Sequence, residues 1–68
     1  MRSPYEIFEA KYGPYDPDKP QPVLYAVWFR EQKAEYLRQY PEARNHQIDG
    51  NFYEGELLRF FVWLDKTA

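Results

Sequence analysis

Residues 23–40, VLYAVWFREQKAEYLRQY, lie between two prolines and decide the fold class of this chain. From Arg30 onward the stretch is rich in strong helix formers, and no turn residue separates that half from the apolar half before it. Because the preceding proline suits the start of a helix and the following one ends it, we expect one helix over the whole stretch. On a helical wheel its apolar face comprises Val23, Ala26, Phe29, Ala34, Leu37 and Tyr40, with Tyr36 at the edge. Leu24 and Trp28 project from the polar side.

The N-terminal residues predict a shorter helix followed by a proline-rich connector. Ser3 can cap a helix whose first residue is Pro4, and Glu6 completes a capping box. A glycine–proline pair then ends this helix, which covers about residues 4–12. The segment 14–22 holds four of the six prolines, and we expect it to run extended across the core.

The C-terminal third predicts a turn and then a third helix. Asp49-Gly50 is a turn signal, and in another context a hairpin signal. Asn51 and Glu54 have the spacing of a second capping box, which would open a helix that extends to about Asp65. The apolar stripe of that helix comprises Tyr53, Leu57, Phe60, Phe61 and Leu64. Trp63 falls on its polar side with Glu56 and Arg59.

These elements predict a mainly α fold: a small three-helix domain with a proline-rich connector, forming one domain over residues 1–68. The alternative is an α+β fold with strands near 23–29 and 57–64, because apolar and polar residues alternate in both runs. The chain has no cysteine, which excludes disulfides and thiolate metal sites. Aromatic residues make up 21% of the chain, enough for a compact core with some rings left for an interface.

The side chains that catalysis or metal binding would need are nearly absent. Ser3 and Thr67, the only serine and threonine, lie near the two ends of the chain, where a rigid catalytic triad is difficult to build. His46 is the only histidine and stands in a polar segment, where we expect it to be solvated. No second histidine completes a zinc site. We therefore expect a protein that is not an enzyme and that uses no cofactor, metal or small-molecule substrate.

Charge and hydropathy bear on the partners and the location of the protein. A net charge of −2 and a pI near 5.3 argue against nucleic-acid binding, which needs a basic surface. The first residues lack the apolar core of a signal peptide. The longest apolar run, residues 23–29, is too short to cross a membrane. We expect a cytoplasmic protein without membrane contact.

One segment is similar to part of a known family. It reads Pro22-Val23-x-Tyr25-Ala26-x-x-Phe29-Arg30, followed by Ala34, Tyr40-Pro41-x-Ala43 and Ile48. This pattern, which covers residues 22–48, resembles the opening of an HMG box. The resemblance implies that an apolar wedge bends DNA through the minor groove, so a divergent HMG-box-like DNA-binding module is the alternative function. The family continues into basic second and third helices, whereas Asp49-Gly50 interrupts the chain here.

The placement of the tryptophans indicates a binding surface. Trp28 and Trp63 both fall outside the apolar arcs of the expected helices, and binding hot spots are rich in Trp, Tyr and Arg. We predict a partner-binding patch that comprises Leu24, Tyr25, Trp28, Arg30 and Trp63. The alternative is that helix 4–12, which has its own aromatic rings to bury, covers Trp28. The leading function is a small non-catalytic protein-binding domain, an inhibitor, adaptor or accessory subunit, whose partner is a larger protein or a copy of itself.

Overall fold

A computed structural model describes residues 1–21 and 23–68. Over these residues the chain forms three α-helices, α1 (Pro4–Tyr12), α2 (Tyr25–Gln39) and α3 (Glu54–Thr67). A 3-10 turn (Pro41–Asn45) and a hairpin of two short strands, β1 (Gln47–Ile48) and β2 (Asn51–Phe52), connect α2 to α3. The predicted mainly α, three-helix fold is therefore confirmed. The α+β alternative is wrong, because residues 25–29 and 57–64 are helical.

The predicted capping box begins α1. The Ser3 hydroxyl accepts a hydrogen bond from the Glu6 backbone N–H at 3.2 Å, and the Glu6 carboxylate accepts one from the Ser3 N–H at 3.3 Å. Gly13, with φ of 86°, ends the helix in a backbone conformation that other residues rarely adopt. The connector that follows is not simply extended, because the Asp16 carboxylate accepts a hydrogen bond from the Asp18 N–H at 2.9 Å and closes a turn.

Helix α2 is confirmed, although it begins at Tyr25 and not at Val23. Its buried face matches the helical wheel only in part, because Phe29 and Leu37 pack against the core as expected. Trp28 is only 2% exposed, whereas Ala26 and Ala34 are exposed. The expectation that Trp28 projects into solvent is therefore wrong, and α1 covers it: the Phe8 ring packs edge-on against the indole at 5.4 Å between centroids. A ring buries far more apolar area than an alanine does, so the aromatic side of α2 turns inward. The predicted role of Pro22 in starting this helix lies outside the described residues.

The segment before α3 folds differently from the prediction. Asp49 and Gly50 both have positive φ, 52° and 81°, and they form the two-residue loop of the β1–β2 hairpin. Asn51 pairs with Ile48 in that hairpin, so it cannot cap a helix. The predicted capping box at Asn51 is wrong: α3 begins after Tyr53, which makes no side-chain capping bond.

The core consists almost entirely of aromatic and aliphatic side chains from all three helices and from the α2–α3 connection. It comprises Ile7, Phe8, Trp28, Tyr36, Ala43, Phe52, Phe60 and Leu64. Phe60 and Leu64 are completely buried, and Phe60 contacts rings from α2, β2 and α3. Among the residues described, no helix is long and apolar enough to cross a membrane.

The two ends of the chain meet beside α3. The Arg2 guanidinium donates to the Asp65 carboxylate at 2.8 Å and to the Asp65 backbone carbonyl at 3.1 Å. These bonds lower the pKa of the Asp65 carboxyl below its usual value. Both side chains are partly exposed, so the pair contributes little to the free energy of folding. Its effect is to hold the N-terminal residues against the last turns of α3.

Candidate functional site

A surface groove of about 560 Å³ lies between α3 and the C-terminal end of α2 with its 3-10 turn. We name it the α3 groove, after the helix that forms one of its walls. Its lining includes Tyr40, His46, Glu56, Leu58, Val62 and Trp63. Leu58, Tyr40 and Val62 are 54%, 43% and 40% exposed, so large apolar side chains stand open to solvent along it. Its size is within the range of binding sites in proteins.

A buried carboxylate lies at the polar end of the α3 groove. Glu56 is only 6% exposed, and it projects from the first turn of α3 toward α2 and the 3-10 turn. The Tyr36 hydroxyl donates to one carboxylate oxygen, and the Nδ1 atom of His46 lies 2.7 Å from the other. The Arg59 guanidinium lies 3.8 Å from the same carboxylate oxygen as His46. We refer to Tyr36, His46 and Glu56 as the Glu56 network.

Hydrogen bonding and burial together explain the protonation states of Glu56 and Tyr36. The bond from His46, and then the bond from Tyr36, lower the pKa of the Glu56 carboxyl, and burial opposes them. Burial raises the pKa of Tyr36 above its usual value, and the hydrogen bond to the Glu56 carboxylate raises it further. At neutral pH the carboxylate is therefore ionised and the phenol is neutral. Because an ionised carboxylate can only accept hydrogen bonds, Nδ1 of His46 is the donor in their contact.

Aromatic rings from α2 and α3 form a second part of the α3 groove lining. The Trp63 ring stacks on Phe60 at 6.0 Å and packs edge-on against Tyr36 at 5.4 Å. Its indole N–H donates to the Gln39 side chain at 3.1 Å, so the polar edge of the ring is satisfied while part of its apolar face stays exposed. Tyr40 packs on Tyr36 at 5.0 Å. Fixed rings of this kind bury area on binding at a low cost in conformational entropy.

The Glu56 network has the form of a base held by a carboxylate, since an imidazole oriented in this way can accept a proton. Of the Ser3 and Thr67 hydroxyls, only that of Thr67 belongs to a residue that lines the α3 groove. Ser3 caps α1, and the Thr67 hydroxyl donates to the Trp63 carbonyl within α3. Within residues 1–21 and 23–68, no group of three His, Cys, Asp or Glu side chains has the arrangement of a metal site. All buried side-chain polar atoms in these ranges have hydrogen-bond partners, so the network is complete as it stands.

The structure does not bring the predicted patch residues together on one open surface. Leu24 is 60% exposed and Arg30 is exposed, both near the N-terminal end of α2. Tyr25 is half-buried among aromatic rings, with Phe8 at 5.4 Å, and Trp28 is in the core. Trp63 belongs to a different place, the α3 groove. Of the five residues predicted to bind a partner, Trp63 alone lines this groove.

The sequence does not predict the Glu56 network. It predicts a solvated His46, whereas the imidazole, which is still 44% exposed, is hydrogen-bonded to a buried carboxylate. It also predicts Glu56 on the polar side of α3, whereas Glu56 is buried. The signal that was available is spacing: Glu56, Phe60 and Leu64 follow at intervals of four, so they share one face of a helix. A carboxylate in line with two core residues needs buried donors, and Tyr36 and His46 are the donors.

Comparison with known proteins does not assign this fold or groove to a family. No protein-family model matches the chain, and no curated protein or solved structure is significantly similar to it. The function must therefore be argued from the groove itself.

Proposed function

We propose that the chain is a small non-catalytic protein-binding domain, an inhibitor, adaptor or accessory subunit, that docks its partner in the α3 groove. The observation that carries the proposal is the alignment of exposed apolar side chains, Tyr40, Leu58 and Val62, beside the half-buried Trp63. Isolated exposed apolar residues are common on protein surfaces, whereas several that line one groove together with charged residues are typical of an interaction site.

Composition supports a protein partner over a nucleic acid. The chain carries a net charge of −2, whereas binding to a phosphate backbone depends on many lysine and arginine contacts. Hot spots in protein interfaces are enriched in tryptophan, tyrosine and arginine, and the α3 groove offers Trp63, Tyr40 and Arg59. The absence of cysteine supports a reducing, cytoplasmic setting for this interaction.

The Glu56 network gives the proposed site its rigidity. It ties the 3-10 turn side of the groove, through His46, to α3 and α2. A surface whose shape is fixed before binding loses little entropy when a partner docks. In this proposal the network positions the groove walls, and the apolar residues make the contact.

Pull-down with the full chain tests the proposal. The bait carries a tag, and the lysate is treated with nuclease and supplemented with untagged copies of the same chain. Val62→Ser is the groove variant and Val27→Ser is its control, because Val62 and Val27 are 40% and 39% exposed on different helices. We expect wild type and the control to retain a stoichiometric partner that the groove variant loses. Identical recoveries from all three baits would overturn the proposed site.

A further inference from the structure

One row of exposed side chains along α3 begins with an acid, ends with a base and has two apolar residues between them. Glu54, Leu58, Val62 and Lys66 follow at intervals of four residues, so they form a continuous ridge on the helix surface. All four are exposed, with Leu58 at 54% and Val62 at 40%. We name this row the α3 stripe. Across residues 1–21 and 23–68 neither Glu54 nor Lys66 takes part in an ion pair.

Along α3 the stripe consists of an acid, two apolar residues and a base. If a second copy of the helix lies antiparallel to the first, each acid therefore faces a base and each apolar residue faces an apolar residue. Glu54 and Lys66 are equidistant from residue 60, and so are Leu58 and Val62. Two copies of α3 that pack antiparallel about a two-fold axis near residue 60 would place Leu58 beside Val62 of the second copy, and Glu54 beside Lys66 of the second copy. Each contact occurs twice by symmetry, as in any isologous interface.

We propose that the partner of this surface is a second copy of the chain, bound antiparallel through the α3 stripe. This inference rests on the proposed function, since Leu58, Val62 and Lys66 also line the α3 groove. Charge complementarity selects the orientation. Antiparallel packing pairs two acids with two bases, whereas parallel packing would place Glu54 against Glu54 and Lys66 against Lys66.

The local backbone permits the close approach that this packing needs. Gly55, exposed beside the stripe, has no Cβ, and no described atom outside its own helical turn lies within 4 Å of the position that a Cβ would take. When ridges formed by every fourth residue pack into the grooves between such ridges on a second helix, the helices cross at about −50°, the commonest angle in globular proteins. One helix ridge per subunit makes a small interface, so we expect a weak dimer that forms reversibly at high protein concentration.

Charge reversal tests both the partner and the orientation. Sedimentation equilibrium of the full chain, at concentrations up to about 1 mM and at low salt, is expected to show a monomer–dimer equilibrium. Glu54→Lys or Lys66→Glu alone introduces two like-charge contacts, and each is expected to weaken the dimer about tenfold. An equimolar mixture of the two variants regains complementary charges at both ends and is expected to form heterodimers close to wild-type strength. The double variant E54K/K66E is likewise expected to regain self-association.

Two outcomes of these measurements would contradict the proposed dimer. If single reversals weaken the dimer and neither the mixture nor the double variant restores it, the antiparallel pairing is wrong. A wild-type chain that stays monomeric at about 1 mM also overturns the proposal. Far-UV circular dichroism on every variant confirms that α3 remains folded before the association data are compared.

An apolar substitution separates this inference from the proposed function. Val62→Asp is expected to weaken the dimer by about tenfold or more, and Val27→Asp, with 39% exposure on α2, to leave it unchanged. Equal effects of the two variants would contradict the proposal. If pull-down recovers a different protein through the α3 groove while the chain stays monomeric, the inference fails and the proposed function stands. If neither a partner nor a dimer depends on Val62, both fail.

Discussion

Replacing Tyr36 by phenylalanine removes one hydroxyl from the Glu56 network and leaves the core ring in place. Glu56 is 6% exposed and accepts hydrogen bonds from Tyr36 and His46, so the loss of one donor leaves a buried carboxylate partly unsatisfied. Hydrogen bonds to charged groups contribute about 1.5–3 kcal/mol. Because His46 and Arg59 still face the carboxylate, we take the lower part of that range and expect a loss of about 1.5–2 kcal/mol in the free energy of unfolding.

Tyr40→Phe is the matched control for this substitution. Tyr40 is 43% exposed, and among the described residues its hydroxyl makes no hydrogen bond to the protein. In a domain of this size each kcal/mol shifts the melting temperature by about 4–8 °C, so we expect Tyr36→Phe to melt about 6–16 °C lower and the control to change little. Thermal unfolding followed by circular dichroism measures both. Melting temperatures that agree for the two variants would refute the claim that the buried hydroxyl stabilises Glu56.

The remaining predictions concern the core, the hairpin and pH. Phe60→Ala leaves a cavity at a completely buried site and should lower the free energy of unfolding by about 3–5 kcal/mol. Far-UV circular dichroism at 25 °C should therefore show a largely unfolded chain, and a native spectrum would contradict this. Gly50→Ala places a Cβ at φ of 81° and should cost about 1 kcal/mol by urea titration, whereas an unchanged midpoint would show that the hairpin turn adapts. The lowered pKa of Glu56 means that the unfolded chain binds more protons in acid, so stability should fall below about pH 4. The raised pKa of Tyr36 means that the folded chain keeps the phenol proton to higher pH than the unfolded chain does, so stability should also fall above about pH 10. Denaturant midpoints that do not change across the acid and alkaline ranges would refute these pKa shifts of Glu56 and Tyr36.

Local sequence signals were sufficient to predict that three helices form and where α1 begins and ends. The capping box at Ser3 and the glycine at residue 13 act through short-range bonds within one turn, and both occur as expected. The long stretch that ends at Pro41 forms helix up to Gln39, as its helix formers predicted. Asp49-Gly50 was recognised as a turn but not as a hairpin, because β1 and β2 are only two residues each and show no alternation of their own.

The orientation of α2 and the Glu56 network could not be predicted, because both depend on contacts between distant parts of the chain. A helical wheel counts apolar residues without weighing their size, so it turned Ala26 and Ala34 inward and Trp28 outward. In the structure α1 covers Trp28, so the indole faces the core instead of solvent. Glu56 is buried because Tyr36, twenty residues earlier, supplies a donor, and no pattern around Glu56 alone reveals that.

The bonds between Arg2 and Asp65 place residues 2 and 65 within one arginine side chain of each other. A short glycine–serine linker from residue 68 to residue 1 would therefore close the chain into a ring without displacing α1 or α3. Ring closure removes conformational freedom from the unfolded chain, in the same way that a disulfide does in the entropic model. A ring of this kind would add a covalent constraint to a weak surface ion pair, and it could be reopened in the proline-rich connector to give a permuted chain with the same core.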